Sequence, residues 1–386
     1  MTDHRPATSL HVPRVLVLYA SQEVTGPARG LLQLITTARK RVTFTLCLFA
    51  KPGVKSDLHL AAEAVGISVR VISQRASFDP SMLWQAFRLP QDGNCTVVQS
   101  HGYKTHLLAG AVRQRWGVPW LAVSHGWTDE DRRIRAYNVL DQRLLQSPDT
   151  CVAVSRDLAS RVGELRLGRR TTVIPNAIEE DRFPSLDRDL CRRQLRSRLS
   201  LPEDATVVVA IGRLSREKGQ DQLLRTVARL GDQSDSDPFV VCVGDGPERE
   251  RLKALAHGLG LGPRVRFVGY SKNVSVYYVG SDLMILPSRS EGLPNVILEA
   301  HLLGCPVVGF EVGGVGEIIK DGETGWLVPA GDLDALARAI GEALGDSHRR
   351  QVVARNAREA LFPRFSVDRR AATFVAEYQR LMSQEG

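Results

Sequence analysis

Short apolar segments rich in β-branched residues alternate with longer amphipathic segments along the whole chain. The first series of apolar segments occupies residues 14–20, 44–50, 69–73, 95–100, 120–124, 151–155 and 171–175. The second series occupies residues 206–212, 239–244, 264–269, 282–287, 305–310 and 325–329. Near-continuous apolar strands separated by helical segments are typical of parallel sheets with helices on both faces. The pattern therefore predicts an α/β fold made of two Rossmann-like, doubly wound domains.

The length of 386 residues also favours two domains, because a single core usually stops growing before that size. We place the first domain at residues 1–185 and the second at 186–364, with a polar, turn-rich connection at 181–204. Residues 365–386 carry one apolar stripe at helical spacing, so we expect a C-terminal helix that packs back on the first domain. Ligands of such folds bind at the carboxyl ends of the strands, so the site should lie in the cleft between the domains.

Basic residues exceed acidic ones only in the first half of the chain. Residues 1–185 hold 24 Lys and Arg against 16 Asp and Glu, and the remaining residues hold 27 of each. This excess favours an anionic membrane surface or an anionic substrate, whereas the short basic runs disfavour nucleic acid. The six cysteines form no C-x-x-C pair, and we find neither a signal peptide nor a membrane-spanning stretch. We expect a cytoplasmic protein, with peripheral membrane contact left open.

The segment 288–306 places Glu291 in a glycine-containing loop and Glu299 in an otherwise apolar helix. Pro294 suits the first turn of that helix. On a helical wheel Glu299 lies between two leucines and not on a polar face. A carboxylate there must accept hydrogen bonds from some partner, since an unpaired buried charge is costly. For Glu299 a structural partner and a ligand both stay open, whereas Glu291, which we place facing the cleft, is interpreted as functional.

Two cations, Arg213 and Lys218, follow the first strand of the second series, where Lys218 is expected to begin a helix. The free N–H groups and dipole of a helix N-terminus favour an anion, so a diphosphate would fit, and two solvated surface cations are the alternative. Neither a P-loop motif nor a complete G-x-G-x-x-G is present, and we interpret 244–252 as a tight turn. The Asp-x-Asp segment 235–237 is interpreted as a solvated turn and not as a metal site.

His101 and His125 each follow a strand of the first series and precede a glycine. Strand-end loops build the sites of this architecture, and a histidine there can donate to a hydroxyl or an oxyanion. A structural role is the alternative for each histidine alone. Tyr103 and Gly26, the latter expected in the loop after the first strand, complete the candidate acceptor side together with His101.

These segments together resemble the retaining glycosyltransferases of the GT-B fold, specifically glycosyltransferase family 4. The resemblance is carried by "IGRLSREKGQDQLL", "VGDGPERERL" and "SRSEGLPNVILEAHLLGCPVVGFEVGGVGEIIKDGETGWLVPAGD", and earlier by "AVSRDLASRV" and "VIPNAIEEDRF". It covers most of residues 150–345 and is loose in residues 1–145. The two glutamates with Arg-x4-Lys upstream are specific as a combination. One departure is Gly26-Pro27, where many relatives have two glycines.

The resemblance implies that Arg213 and Lys218 hold the donor diphosphate and that Glu299 receives the ribose hydroxyls. It implies that Glu291 contacts the donor sugar and that His125 lies beside the transferred sugar. The catalytic candidates are therefore Glu291, His125, Arg213 and Lys218. The other implied donor contacts are Gly292, Leu293, Asn295 and Val296 along the sugar and phosphate, and Val268 and Gly269 at the base.

The implied reaction moves a sugar from a nucleoside-diphosphate sugar, with UDP favoured, to a hydroxyl of a glycan or lipid-linked acceptor. Such a reaction would serve polysaccharide or glycolipid biosynthesis. No metal or other cofactor is expected, because cationic side chains and helix amides can take the leaving-group charge. Two alternatives stay open: a dinucleotide-dependent oxidoreductase or epimerase, and a catalytically silent relative that acts as a binding subunit.

Overall fold

The computed structural model describes residues 12–51, 53–75, 79–90, 95–127, 132–166, 169–230 and 237–384. The strands of the first sheet are β1 Arg14–Tyr19, β2 Thr43–Ala50, β3 Val69–Ser73, β4 Val97–His101, β5 Trp120–Ser124, β6 Thr150–Ala153 and β7 Thr171–Val173. Those of the second sheet are β8 Val207–Ile211, β9 Phe239–Val243, β10 Val265–Gly269, β11 Leu283–Leu286, β12 Val307–Phe310 and β13 Trp326–Val328.

Helices separate almost every pair of consecutive strands. In the first half they are α1 Gly26–Ala38, α2 Asp57–Ala64, α3 Ser81–Arg88, α4 Tyr103–Trp116, α5 Arg132–Leu144 and α6 Arg156–Leu165. In the second half they are α7 Arg188–Leu199, α8 Gln220–Leu230, α9 Arg249–Gly258, α10 Ser275–Gly280, α11 Asn295–Leu302, α12 Val315–Ile318, α13 Leu333–Gly345, α14 Ser347–Glu359, α15 Phe362–Phe365 and α16 Val367–Ser383.

Both sheets are parallel and doubly wound, as the alternating pattern predicts. The first has the order β3-β2-β1-β4-β5-β6-β7 and the second the order β10-β9-β8-β11-β12-β13. The strand order reverses between β1 and β4 in one sheet and between β8 and β11 in the other. Crevices beyond the carboxyl ends of the strands at such reversals are where ligands bind in open α/β sheets. The loops after these four strands contain Arg213, Lys218 and Glu291 in the second sheet and lead into α1 and α4 in the first.

The connection between the sheets is less irregular than its composition indicates. The segment expected to be turn-rich contains α7, which begins after Asp187, whose carboxylate accepts from the N–H of Leu190 at 2.7 Å. Cys191 and Leu195 are buried on one face of this helix, against α10. Five arginines and one aspartate within twelve residues leave only a narrow apolar stripe, so the sequence predicts a turn-rich connection here and not a helix.

The chain passes between the two domains at two places that touch each other. After β7 the N–H of Ile178 donates to the carbonyl of Phe365 in α15 at 2.9 Å. From there α16 packs along α1, and its buried Phe374 and Tyr378 join the core of the first sheet. Within the described residues, the helices are too short or too polar to span a bilayer. The exact domain limits stay predictions.

Candidate active site

An ion pair joins the two loops at the reversal point of the second sheet. Lys218 Nζ lies 2.8 Å from Oε1 and 2.9 Å from Oε2 of Glu291, and Ser288 Oγ donates to Oε1 at 2.7 Å. The Glu291 side chain is 6% exposed and that of Lys218 is 30% exposed. The structure therefore brings Lys218, predicted to bind the diphosphate, into direct contact with Glu291, predicted to bind the sugar.

The helix expected to begin at Lys218 begins two residues later. Lys218 ends a short 3-10 turn that starts at Arg216, and Gly219 follows with a φ of 66°. A Cβ at Gly219 would lie 1.9 Å from the carbonyl oxygen of Pro287, so only glycine lets the β8 and β11 loops approach this closely. Arg213 precedes the turn on an exposed position, and its carbonyl accepts from Gln220 at 2.9 Å.

A second contact fastens the Glu291 loop to helix α8. Arg289 makes a two-bond ion pair with Asp221, with Nη1 and Nη2 at 2.7 and 2.8 Å from the two carboxylate oxygens. Burial alone would raise the pKa of Asp221, but the hydrogen bonds and charge of Arg289 lower it. Paired bonds of this geometry fix orientation as well as distance. Arg289 thus holds the loop in the position that places Glu291 opposite Lys218.

Glu299 has two donors within the protein. Arg182 Nη2 donates to its Oε1 at 2.6 Å, and the hydroxyl of Tyr278 donates to its Oε2 at 3.0 Å. Glu299 is 7% exposed, and burial together with this carboxylate raises the pKa of Tyr278 well above its ordinary value. The structure thus supplies the structural partners that the sequence left open, and the ribose role stays a prediction.

The other predicted donor residues surround these pairs. Val268 and Gly269 end β10, where the register with β9 slips and Gly269 takes a φ of 81°. Three more lie in the loop or first turn that follows Glu291: Leu293, Asn295 and Val296. The side chain of Asn176, at the first crossing between the domains, donates to the carbonyl of Leu293 at 2.8 Å. The loop is therefore held from both domains.

The two domains meet directly at Gly292. A Cβ built on Gly292 would lie 2.5 Å from the carbonyl oxygen of His125 and 3.2 Å from Val154. On the same side Gly26, the first residue of α1 and not part of the preceding loop as expected, approaches Asn295, whose amide nitrogen would be 2.8 Å from an added Cβ. The contacts place the His125 loop against the loop that carries Glu291.

A hydrogen-bonded chain leads from the C-terminal helix to His125. The hydroxyl of Tyr378 donates to Oε1 of Gln99, and Nε2 of Gln99 lies 2.8 Å from Nε2 of His101. Nδ1 of His101 lies 3.1 Å from Nε2 of His125. Burial lowers the pKa of His101 well below its ordinary value and that of His125 to about 4, so both rings are neutral at pH 7.

With the oxygen of the Gln99 amide toward Tyr378, these hydrogen bonds assign the protons of both histidine rings. An amide nitrogen only donates, so Nε2 of His101 accepts and its Nδ1–H donates to Nε2 of His125. His125 then carries its proton on Nδ1. The hydroxyl of Tyr378 donates to Oε1 of Gln99, and burial raises the pKa of Tyr378 far above its ordinary value, so the hydroxyl keeps its proton. A residue of the last helix thereby belongs to the hydrogen-bonded series that ends at the candidate catalytic histidine.

Two adjoining cavities open beside this chain in the first domain. One of about 190 Å³ is lined by His125, His101 and Asp141 among others, and one of about 270 Å³ by His101, Tyr103 and Lys104 among others. Burial raises the pKa of Asp141 to about 6, and its carboxylate accepts from a tryptophan indole at 2.9 Å. Of the acceptor-side candidates, the structure places His101 and Tyr103 at these cavities and Gly26 against the second domain.

The sequence did not indicate a role at the site for five residues that the structure places there: Arg182, Tyr278, Asp141, Gln99 and Tyr378. They come from distant segments, and only the fold brings them together. No metal is expected, and among the described residues no group of three or more His, Cys, Asp and Glu could hold one. Residues 235 and 236 of the Asp-x-Asp segment lie outside the described residues, and Asp237 pairs with Arg264.

Two facing Rossmann-like sheets, with cations and carboxylates on the loops at the reversal points, define a glycosyltransferase of the GT-B fold. The chain belongs to the glycosyltransferases whose families are described as "Glycosyl transferases group 1", matched over residues 192–360, and "Glycosyltransferase Family 4", matched over residues 24–182. The predicted glycosyltransferase family, fold class and enzyme class are therefore confirmed, and retention of configuration stays a prediction.

Relatives of this family include proteins with named activities. The chain is 34% identical over 221 residues to the lipopolysaccharide core biosynthesis glycosyltransferase LpsE of Rhizobium meliloti (strain 1021). That match covers 57% of this chain and 61% of LpsE, which is less than two thirds of its length. It is 30% identical over 341 residues to a D-inositol 3-phosphate glycosyltransferase of Geodermatophilus obscurus, covering 83% of this chain and 71% of the relative.

Solved structures share the whole fold. The crystal structure of Anabaena HepE in complex with UDP-glucose matches with a TM-score of 0.80 over 94% of this chain and 99% of HepE, at 22% identity. At that identity the likeness concerns the fold.

Proposed function

We propose that this protein transfers a sugar, with retention of configuration, from a UDP-sugar to a hydroxyl of a glycan or lipid-linked acceptor. The observation that carries the proposal is the meeting of Lys218 and Glu291, from two different strand-end loops, one residue away from the contact between Gly292 and His125. A cation and a carboxylate thus lie beside the loop that carries His125, at a point where the domains touch. The UDP-glucose bound by HepE supports the choice of donor.

The charges of the site fit the demands of that reaction. Departure of a nucleoside diphosphate develops negative charge, which Lys218 and Arg213 would stabilise without a metal or other cofactor. Glu291, held by Ser288, would accept hydrogen bonds from sugar hydroxyls. Retention needs the acceptor hydroxyl on the face from which the phosphate leaves, and contact between the domains excludes water that would hydrolyse the donor.

The acceptor would enter from the first domain. Polar side chains, among them Tyr103 and Lys104, line part of the cavities beside His125 and His101, which suits a hydroxyl-rich molecule. The excess of Lys and Arg in residues 1–185 supports an anionic or lipid-linked acceptor at a membrane surface, on the cytoplasmic side. Polysaccharide or glycolipid biosynthesis is the corresponding process.

The test measures nucleoside diphosphate released by the full chain from UDP- and GDP-sugars with glycan and lipid acceptors, with proton NMR of the anomeric centre. We expect release from a UDP-sugar, an unchanged rate in EDTA and a retained configuration. Lys218→Met should lower kcat by about 10²- to 10³-fold. The matched control is Lys253→Met, which removes an exposed lysine of α9 and should leave the rate unchanged. Nucleotide binding without turnover, or equal rates for the two variants, would contradict the proposal.

A further inference from the structure

A further cavity lies between the two domains, where the chain crosses from one to the other. Its volume is about 340 Å³, within the range of about 300 to 1,000 Å³ that small-molecule sites occupy. We call it the hinge cavity and define it by its charged lining residues, Arg156, Arg364, Arg369, Arg370 and Glu317. None of the residues predicted for the donor or the acceptor lines it.

The walls of the hinge cavity come from both domains. Arg156 begins α6 of the first domain, and Glu317 lies in α12 of the second. Arg364 lies in α15, just before the chain returns to the first domain as α16. Oε1 of Glu317 accepts from the N–H of Arg156 at 2.6 Å, so the wall includes a direct bond between the domains. A molecule in this cavity would touch both domains at once.

Arg370 is a buried cation at the edge of the hinge cavity. It is 7% exposed, its Nη1 donates to the carbonyl of Gly30 at 2.6 Å, and its Nε has no hydrogen-bond partner. Among the described residues no carboxylate pairs with it. Burial lowers its pKa to about 10, which still leaves it charged at pH 7. A buried charge without a counterion is costly, and the cavity is where a counterion could bind.

The single carboxylate of the lining does not cancel the positive charge. Four arginines face one glutamate, and that glutamate already accepts from two N–H groups at the start of α6, at 2.6 and 3.4 Å. Within the described part of the chain, the guanidinium of Arg364 donates one hydrogen bond, to the carbonyl of Glu317, and that of Arg369 donates one, to the carbonyl of Pro363. Each guanidinium has five N–H donors, so most of them stay available for a ligand.

We propose that the hinge cavity binds a small phosphate-bearing molecule, with its phosphate held by Arg370, Arg364 and Arg369. Guanidinium groups match phosphate oxygens in paired hydrogen bonds, and a dianion would offset most of the excess charge. The volume leaves room for a compact organic group attached to the phosphate. Bound there, the ligand stabilises the contact between the domains.

The hinge cavity is also connected to the donor side of the cleft. Asn176 lines the cavity, and its side chain donates to the carbonyl of Leu293 in the loop that carries Glu291. Occupancy of the cavity therefore acts on the position of that loop through one hydrogen bond.

The test titrates inorganic phosphate into the full chain by calorimetry. Because a diphosphate site at Lys218 would also bind phosphate, the titration is done with the Lys218→Met variant as well. We expect one phosphate to bind to that variant, with affinity weakened about tenfold or more by Arg369→Gln or Arg364→Gln. The matched control Arg225→Gln, an exposed position of α8, should bind as the parent does. Arg370→Gln should abolish phosphate binding. If that variant does not fold, the phosphate affinities of Arg364→Gln and Arg369→Gln, at exposed positions, test the proposal.

Two probes distinguish the sources of the phosphate. Glycerol 3-phosphate that binds more tightly than inorganic phosphate indicates a phosphate ester, and equal affinity indicates free phosphate; both results support the site. The proposal is wrong if Lys218→Met binds no phosphate at millimolar concentration, or if the arginine variants and Arg225→Gln bind equally. It is also wrong if vesicles of phosphatidic acid bind and soluble phosphates do not. The readout is binding, so it does not depend on the proposed transferase activity.

Discussion

One methyl group at Gly292 should impair the contact between the domains. The φ of Gly292 is one that other residues adopt, so Gly292→Ala introduces no local backbone strain. Its Cβ would lie 2.5 Å from the carbonyl oxygen of His125, which is backbone and cannot rotate away. The domains must therefore separate by several tenths of an ångström or more at this point, while the fold of each domain is untouched.

The size of the effect follows from that overlap. Inserting a methyl group into a closely packed contact costs about 1 to 3 kcal/mol. If turnover requires this contact, kcat/KM should fall by about 5- to 160-fold, since each 1.36 kcal/mol is a factor of ten. Binding of UDP should stay within about twofold, because the donor contact implied for Gly292 is made by its backbone amide, which the substitution keeps. The assay pairs release of nucleoside diphosphate with calorimetric titration of UDP.

Gly341→Ala is the matched control for Gly292→Ala. Gly341 lies in α13, and a Cβ there meets no atom within 4 Å. This change should raise stability by about 0.5 to 1 kcal/mol, as expected for Gly→Ala within a helix, and leave kcat/KM unchanged. Full turnover by Gly292→Ala would refute the requirement for close contact, and a parallel loss of UDP binding would show that the methyl group acts inside the donor site.

Three further predictions concern single side chains. Glu299→Ala leaves two donors unpaired and should lose about 3 kcal/mol in urea unfolding, with a smaller loss for Glu299→Gln; equal losses would contradict a pairing role. Tyr378→Phe removes the donor to Gln99 and should lower kcat about two- to tenfold, the value of one neutral hydrogen bond, while nitrogen NMR shifts of His125 change from the Nδ1–H form to a tautomer mixture. Unchanged nitrogen shifts would show that the hydrogen bond from Tyr378 does not affect the protonation of His125. Burial lowers the pKa of His301 to about 4 from 6.5. The stability that depends on a neutral His301 is therefore fully present above pH 6.5 and is lost as the pH falls toward 4. Between pH 7 and pH 5 the parent should lose about 2 kcal/mol more than His301→Leu in thermal or urea unfolding, and equal losses would refute this.

The fold could be predicted because its signals are local. Strand-length apolar runs and the helices between them are written in neighbouring residues, and parallel sheets follow from runs that are apolar on both faces. The helix α7 was missed for a related reason, since its apolar positions Cys191 and Leu195 are few among arginines. Local patterns thus predict elements well when the apolar face is wide and poorly when it is narrow.

The site could be predicted only in part, because its partners are distant in sequence. The helical wheel correctly indicated that Glu299 lacks a polar face, but it could not show that His301, a polar residue of the same helix, is also buried, at 1% exposed. α11 is buried nearly all round, which a wheel cannot show. Arg182 lies 117 residues before Glu299 and reaches it only through the fold. Arg370, by contrast, stands on the apolar stripe of α16, where the reasoning applied to Glu299 would have found it.

The pairing of Lys218 with Glu291 bears on how the site can receive a donor. A half-buried cation and a nearly buried carboxylate stabilise each other when no ligand is bound, and separating them would leave an unpaired buried charge. A diphosphate next to Lys218 supplies a replacement anion, so the lysine changes partner without becoming unpaired. Glu291 keeps its hydrogen bond from the hydroxyl of Ser288, and the lone pairs that Lys218 releases become free to accept from sugar hydroxyls. Those hydroxyls must arrive together with the phosphate. The pair is therefore best satisfied by a molecule that carries both a diphosphate and a sugar, and a diphosphate alone would leave the carboxylate short of donors.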